Sequence, residues 1–167
     1  TDNVNKDFFV VSEEDKNEVA NKILKSVANL LDKPKYNYDI DDIQVICPQR
    51  TSEIGTEELN KRIQQLVNPP SDNKKQMARG QTVFRVGDKV IHTENNYEIE
   101  HHRKNGKEYV PILSDNGTDC DKGIFNGEIG KVVDIIKVKD EDNEGLVDML
   151  VVKYDKVYIL YSKGELD

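Results

Sequence analysis

One arginine stands where it could contact a phosphate group. Arg50 lies in the loop 49–55, which follows an apolar run at 43–47 and precedes a helical pattern that begins at Thr56. Open α/β sheets bind ligands at the carboxyl ends of their strands, and a guanidinium matches the oxygens of phosphates and carboxylates. Two readings stay open here: Arg50 contacts an anion, or it is a solvated charge or the partner of a nearby acid.

A second group of candidate residues forms a basic stripe. Residues 61–92 hold seven basic side chains against two acidic ones, although the whole chain has a net charge of −8. This net charge argues against a general polyanion binder, whereas a local stripe is typical either of a nucleic-acid track or of a solvated face. The candidates for phosphate contacts within the stripe are Lys74, Lys75, Arg85 and Lys89.

Aromatic residues further along the chain could stack on nucleic-acid bases. Tyr97 is the candidate, because base stacking on an aromatic ring tolerates any sequence. Cross-strand packing between Tyr97 and Tyr109 is the alternative. Phe125 could also stack, but its place in an apolar pattern predicts a core position.

Histidine and cysteine residues do not predict a metal site or a disulfide framework. His101 and His102 are neighbours, so in a strand their side chains face opposite ways, and with Cys120 they match no zinc spacing. The other cysteine, Cys47, lies in the apolar run. Two separated cysteines fit a reducing cytoplasm.

Composition points to a soluble protein with a polar surface. Charged residues make up 34% of the 167 residues and hydrophobic residues 36%. No apolar run approaches the roughly 20 residues that span a bilayer, and no basic-then-apolar leader opens the chain. We therefore expect a cytoplasmic location and no membrane partner.

The first part of the chain has the pattern of an α/β unit. Two apolar runs, 8–11 and 43–47, predict strands, and each precedes a helical stripe, the first capped by Ser12 and the second by Thr56. Alternating strands and helices predict a parallel sheet. Two strands bury too little to be stable alone, so we expect a fragment whose sheet is completed by chain outside this sequence.

The second part predicts a small β-barrel. Period-two alternation begins at Thr82, and strands are predicted at 132–139, 146–154 and 157–161, with turns at 142–145 and 155–156. The Gly-Asp-Lys-Val run at 87–90 and Asn-Gly-Glu-Ile-Gly at 126–130 are typical of SH3-like barrels. Asn105-Gly106 predicts a β-hairpin inside an inserted arm at 98–124.

These motifs, taken in order, resemble the RecD-like superfamily 1 DNA helicases, described as exodeoxyribonuclease V alpha subunits. In its second RecA-like domain, that family has a strand followed by a proline and a glycine, and then the short motifs LN, LQ and LNP. The corresponding pairs here are Leu59-Asn60, Ile63-Gln64 and Asn68-Pro69. An SH3-like barrel opening with F-VGDKV and NNY and continuing with FNG-IG then interrupts the domain, as in 84–90, 95–97 and 125–130.

The chain departs from the family at two places. Residues 98–124 are longer than the family's link, and Thr51-Ser52-Glu53 stands where the family has a glycine after the loop arginine or lysine. The sequence also contains no GxxxxGK[ST] phosphate loop. The resemblance therefore implies that this chain alone neither hydrolyses ATP nor unwinds DNA.

The resemblance implies a domain plan and a role in an intact helicase. Residues 1–80 would be part of the second RecA-like domain, and 81–167 the SH3-like barrel with its arm. ATP and Mg²⁺ would bind in the intact enzyme between this part and the first RecA-like domain, with Gln49 and Arg50 at the cleft and Arg50 sensing the γ-phosphate. Single-stranded DNA would contact the barrel during unwinding in recombination and repair, and other exodeoxyribonuclease V subunits are possible partners.

A non-catalytic module is the alternative from another functional class. An SH3-like barrel on an α/β adaptor binds RNA or protein in many contexts, since this fold does not fix a function. Such a module accounts for the barrel and for the acidic net charge, but not for the 44–69 run.

Overall fold

The computed structural model describes residues 8–32, 34–36, 38–114, 117, 119–139 and 145–166, and the chain divides into two units between Val67 and Asn68. The division predicted from the sequence lies at 80/81 instead. The hairpin of residues 76–85, which spans that predicted boundary, belongs to the second unit because Met77 is part of that unit's apolar core and Phe84 packs against it.

The first unit is helical. Helix α1 spans Lys16–Leu30, a 3₁₀ turn spans Ile40–Asp42, and helix α2 spans Thr56–Val67. The carboxylate of Asp15 accepts a hydrogen bond from the backbone N–H of Glu18 at 3.0 Å, so Asp15 is the N-cap of α1 and the predicted Ser12 cap is wrong. The buried residues of the two helices are Ala20, Val27 and Leu59.

The two strands predicted for this unit do not form. Residues 8–11 and 43–47 belong to no β-ladder, and Phe8 and Ile46 are largely exposed. A strand needs a neighbour to pair its N–H and C=O groups, and no strand lies beside these runs within the described part of the first unit. The RecA-like sheet therefore remains an expectation.

The second unit is built from antiparallel β-strands. They are β1 (Gln76–Arg79), β2 (Thr82–Arg85), β3 (Lys89–Ile91), β4 (Asn96–Glu100), β5 (His102–Asn105), β6 (Glu108–Pro111), β7 (Lys122–Ile124), β8 (Ile129–Lys139), β9 (Leu146–Tyr154) and β10 (Val157–Tyr161). The largest sheet has the order β3-β8-β9-β10-β5-β6, and two further pairs are β1-β2 and β4-β7. A 3₁₀ turn follows at Lys163–Glu165.

The C-terminal hairpins follow the predicted pattern. Strands β9 and β10 have the predicted bounds, and a two-residue turn at Asp155 and Lys156 joins them because Tyr154 pairs with Val157. Strand β8 is three residues longer than predicted and shifts register between Val132 and Asp134. Of the turn predicted at 142–145, residues 142–144 lie outside the described part of the chain.

The inserted arm contains the predicted hairpin with a different register. Asn105 pairs with Glu108, so the turn residues are Gly106 and Lys107 rather than Asn105 and Gly106. Gly106 has φ +62°, as the first central position of a type II′ turn requires. Strand β4 pairs with β7 instead of joining this hairpin, and β5 pairs with β10, which adds the arm to the large sheet.

One apolar core holds the second unit together. Its fully buried members come from the central strands and include Val132, Leu150, Val152 and Ile159. Burying such side chains contributes roughly 1.5–3 kcal/mol each. No helix in the described part of the chain is long and apolar enough to cross a membrane.

Candidate nucleic-acid interface and nucleotide-facing loop

The loop that carries Arg50 is held against the start of α2. The backbone N–H groups of Thr56 and Glu57 donate to the carbonyl oxygens of Gln49 and Arg50 at 3.1 and 3.2 Å. A Cβ on Gly55 would lie 2.5 Å from the Arg50 carbonyl oxygen, so this close approach requires glycine. The loop is thus fixed by backbone contacts, and its side chains are not needed to close it.

The Arg50 side chain points into solvent. Its exposure is 77%, and its Nε donates to Oε1 of Glu57 at 2.9 Å. Of the two readings left open by the sequence, the structure shows the second: Arg50 pairs with a nearby acid, Glu57. An ion pair this exposed contributes little to stability, so the guanidinium can exchange Glu57 for another anion at small cost.

Arg85 is buried, and this overturns its prediction as a DNA contact. Its exposure is 9%; its Nε donates to Gln76 Oε1 at 3.2 Å and its Nη1 donates to the Asn68 carbonyl oxygen at 3.3 Å. A guanidinium with these partners is not presented to a phosphate in solvent. The alternating pattern of β2 does not predict the burial of Arg85, because the hydrogen-bond partners of Arg85 lie 9 and 17 residues away in the sequence.

Asp88 organises the same buried cluster. Its carboxylate accepts from Asn68 Nδ2 at 2.6 Å and from the Arg85 backbone N–H at 2.7 Å. Its own backbone bridges to β8, since the Val132 N–H donates to the Asp88 carbonyl oxygen at 2.9 Å. Asp88, from the Gly-Asp-Lys-Val run, therefore joins Asn68 and Arg85 in a buried cluster, which we call the polar lock.

The two lysines before β1 have protein partners. Lys74 donates to Oδ1 of Asn68, which ties it to the buried cluster. Lys75 donates to Oδ1 of Asp134 at 2.7 Å and to the Ile135 carbonyl oxygen at 2.9 Å. Lys74 is thus directed inward, whereas Lys75 stays on the surface.

Lys89 lies in a different setting. It is the first residue of β3 and stands directly opposite Lys131 in the β3–β8 register. Of the basic residues predicted to bind phosphate, Lys75 is exposed and Lys89 is half-buried.

Tyr97 forms an exposed aromatic pair with Phe125. Their ring centroids lie 5.9 Å apart in an edge-to-face arrangement, and their exposures are 62% and 55%. Asn95 joins the two segments, because its Nδ2 donates to the Tyr97 hydroxyl at 3.2 Å and its Oδ1 accepts from the Asn126 N–H at 2.8 Å. The core position predicted for Phe125 is wrong; Ile124 fills the core instead.

Tyr109 does not pack on Tyr97, contrary to the alternative given above. Its ring lies 5.3 Å from that of Tyr158 on β10. Lys104 Nζ lies 5.7 Å from the Tyr109 ring centroid. Burial raises the pKa of Tyr109 most, and the charge of Asp134 and the neighbouring Tyr158 raise it further.

The histidines of the arm are engaged with backbone and carboxylate groups. His101 Nε2 lies 2.7 Å from the Gly123 carbonyl oxygen, and its Nδ1 lies 3.4 Å from Asp121 Oδ2. His102 Nδ1 lies 3.1 Å from the Glu100 carbonyl oxygen. Within the described ranges, no three His, Cys, Asp or Glu side chains cluster in a way that could hold a metal. Cys47 and Cys120 are both free thiols.

A short chain of hydrogen bonds links the core to the end of β3. The hydroxyls of Tyr154 and Tyr161 lie 3.1 Å apart, and the Tyr161 hydroxyl lies 3.1 Å from His92 Nδ1. Burial raises the pKa of Tyr161 far above its usual range, so this hydroxyl keeps its proton. Burial lowers the pKa of His92, while the charges of Glu128 and Glu94 act in the opposite direction.

Comparison with known families identifies one match. The family model of the ATP-dependent RecD-like DNA helicase SH3 domain matches residues 59–154. No solved structure matches the chain. The matched residues begin in α2 and end with β9, so they include the polar lock, the Tyr97–Phe125 pair and the inserted arm.

Proposed function

We propose that this chain, which belongs to the family of ATP-dependent RecD-like DNA helicase SH3 domains, holds single-stranded DNA by stacking bases on Tyr97 and Phe125. The parent protein would be an ATP-dependent helicase that acts in the cytoplasm during DNA recombination and repair. The observation that carries the proposal is the exposed aromatic pair on the surface of the matched region.

Base stacking suits a motor that must advance over any sequence. Every base has a π-face, and stacking on one aromatic side chain contributes about 1–3 kcal/mol without reading sequence. The two exposed rings offer apolar surface to a base, and Asn95 hydrogen-bonds to both segments. Lys89 and Lys75 would add phosphate contacts, which raise affinity without specificity.

The stacking role can be tested with oligonucleotides that lack bases. Tyr97→Ala and Phe125→Ala should each weaken binding of a single-stranded DNA oligomer by about ten-fold, since 1.4 kcal/mol corresponds to a factor of ten. Binding of an abasic oligomer of equal length should not change. Tyr38→Ala is the matched control, because Tyr38 is an exposed tyrosine outside the matched region.

The same titration separates the two functional classes. A single-stranded RNA oligomer of the same sequence is the third probe. Equal loss on normal and abasic DNA would remove stacking from the proposal. Preference for RNA over DNA would favour the alternative, a non-catalytic RNA-binding module.

Arg50 would act at the ATP cleft of the intact helicase, next to Gln49. A γ-phosphate sensor supplied from a neighbouring domain needs an exposed guanidinium on a fixed backbone, and Arg50 has both features. Bound ATP with Mg²⁺ would supply the phosphoryl chemistry that drives translocation. The first RecA-like domain would be the partner across the cleft, and the first unit, residues 1–67, would belong to the second RecA-like domain. Other exodeoxyribonuclease V subunits are further candidate partners.

An arginine substitution in the full-length helicase tests this role. Arg50→Ala should lower DNA-stimulated ATP hydrolysis by about 10³-fold or more while DNA affinity stays unchanged. Arg62→Ala is the control, because Arg62 also pairs with a glutamate of α2, Glu58, at 2.9 Å. If the Arg50→Ala helicase hydrolysed ATP at the normal rate, the sensor role of Arg50 would be excluded. The exposed ion pair with Glu57 would then be the only role left for Arg50.

A further inference from the structure

One side chain, Asn95, joins the two segments that carry the aromatic pair. Its Oδ1 accepts a hydrogen bond from the Asn126 backbone N–H at 2.8 Å, and its Nδ2 donates to the Tyr97 hydroxyl at 3.2 Å. The orientation of the amide follows from chemistry, because a backbone N–H only donates and must therefore face the amide oxygen. The Nδ2 group then has to face Tyr97, whose hydroxyl oxygen is the acceptor.

The segment that carries Phe125 is a turn with a fixed backbone. The Phe125 N–H donates to Oε1 of Glu128 at 2.9 Å, and the Glu128 N–H donates to the Phe125 carbonyl oxygen at 3.2 Å. The turn is also attached to the residue that follows β3. The His92 N–H donates to the Glu128 carbonyl oxygen at 2.9 Å, and the Gly127 N–H donates to the His92 carbonyl oxygen at 2.8 Å. The turn therefore offers Asn95 a fixed attachment point at Asn126.

The segment that carries Tyr97 is fixed at its backbone by the neighbouring asparagine. Oδ1 of Asn96 accepts hydrogen bonds from the N–H groups of Glu98 and Ile99, each at 3.1 Å. These bonds hold the chain around Tyr97 but do not touch its ring, which is largely exposed. An exposed side chain loses rotamer freedom when it is fixed by a ligand, and this loss weakens binding. The bond from Asn95 restricts the ring before any ligand arrives.

We propose that Asn95 is a positioning residue of the stacking site, which holds the Tyr97 ring beside Phe125 in the orientation that receives a base. The inference rests on the proposed function, because its ligand is the single strand whose bases stack on these two rings. The three residues of the Asn95-Asn96-Tyr97 motif then have distinct roles. Asn96 fixes the backbone, Asn95 fixes the ring, and Tyr97 contacts the base.

The ratio of the affinities for base-bearing and abasic single-stranded DNA tests this role. Asn95→Ala should lower the affinity for a base-bearing oligomer by about five-fold, the factor that corresponds to one ordinary hydrogen bond. The affinity for the abasic oligomer should not change. Asn60→Ala is the control, because Asn60 is an exposed asparagine of helix α2 and belongs to neither aromatic segment. An equal loss on both oligomers would indicate a general effect on the fold and overturn the proposal.

A conservative substitution should restore the position of the ring. In Asn95→Asp, one carboxylate oxygen accepts from the Asn126 N–H, and the other accepts from the Tyr97 hydroxyl, which rotates to donate. The added negative charge repels the phosphates of both oligomers equally, so the affinity ratio should stay close to that of the parent chain. Adding Tyr97→Phe to Asn95→Asp removes the donor and should lower the ratio by about five-fold. A ratio for Asn95→Asp as low as that for Asn95→Ala would contradict the proposal.

A double-mutant cycle shows whether Asn95 acts through Tyr97. Tyr97→Phe keeps the ring and should lower the ratio in the parent chain, but it should have no further effect in Asn95→Ala, because both changes remove the same hydrogen bond. Additive losses would overturn the proposal. The two proposals fail separately: an unchanged ratio in Asn95→Ala, with a lowered ratio in Tyr97→Ala and Phe125→Ala, excludes positioning alone, whereas an unchanged ratio in all three variants excludes stacking.

Discussion

The two units of the chain differ in where their apolar residues lie. In the first unit, the four apolar residues at 8–11 and Ile46 are exposed, while the buried apolar residues are Ala20, Val27 and Leu59. In the second unit, β8, β9 and β10 bury apolar residues on a shared face, and the fully buried ones include Leu150 and Ile159. Apolar runs of similar composition therefore have opposite environments in one chain.

This difference shows that a strand depends on its neighbours as much as on its own residues. The run at 43–47 has the β-branched residues of a strand, yet no described strand of its unit pairs with it. The run at 157–161 has the same character, and a two-residue turn brings it beside β9. Hydrophobicity selects which residues can be buried, and pairing decides whether they form a sheet.

One substitution made in both units would give the largest contrast. Ile159→Ala should destabilise the second unit by roughly 2–5 kcal/mol, because Ile159 is 0% exposed and its truncation leaves a cavity. Ile46→Ala should change the free energy of unfolding by less than about 0.5 kcal/mol, because Ile46 is 88% exposed. Urea denaturation followed by circular dichroism measures both.

The contrast has a clear negative outcome. A loss at Ile46→Ala comparable to that at Ile159→Ala would mean that the run at 43–47 is buried in solution, which would restore the predicted strand. Val10→Ala tests the other run in the same way, since Val10 is also largely exposed.

Local signals in the sequence predicted the elements that local contacts form. Helices α1 and α2 and strands β9 and β10 follow periodicity and turn residues within a few positions. Pairings between distant segments were not predicted: β4 pairs with β7 and β5 with β10 across more than 20 and 50 residues. No property of either segment alone specifies its distant partner.

The candidate site was predictable to the same limited extent. Lys89 and Tyr97 were predicted by residue type. Tyr97 is exposed and packs on Phe125, whereas Lys89 is half-buried and lies opposite Lys131. Arg85 was misassigned because charge predicts exposure unless the partners that satisfy a buried charge are known.

Two arginines sharpen the comparison at an intermediate magnitude. Arg85→Ala should destabilise the second unit by about 1–3 kcal/mol, because it removes buried hydrogen bonds to Gln76 and Asn68. Arg50→Ala should cost less than about 0.5 kcal/mol, because its pair with Glu57 is exposed. Equal effects in denaturant titrations of the two variants would contradict the assignment of a structural role to one and a surface role to the other.

The smallest effect we expect is a pH dependence that arises in the second unit from His92. Because burial lowers the pKa of His92 in the folded chain, the unfolded chain, with a pKa near 6.5, binds more protons as pH falls below neutrality. The free energy of unfolding should therefore decrease from about pH 7.5 to 5.5, a window that starts above the unfolded value. His92→Gln should flatten this part of the profile, since Glu128 and Glu94, the acids that act on His92, remain in both proteins. Parallel profiles for the two proteins, measured by urea denaturation at each pH, would assign the dependence to other groups and leave the Tyr161–His92 contact without a role in it.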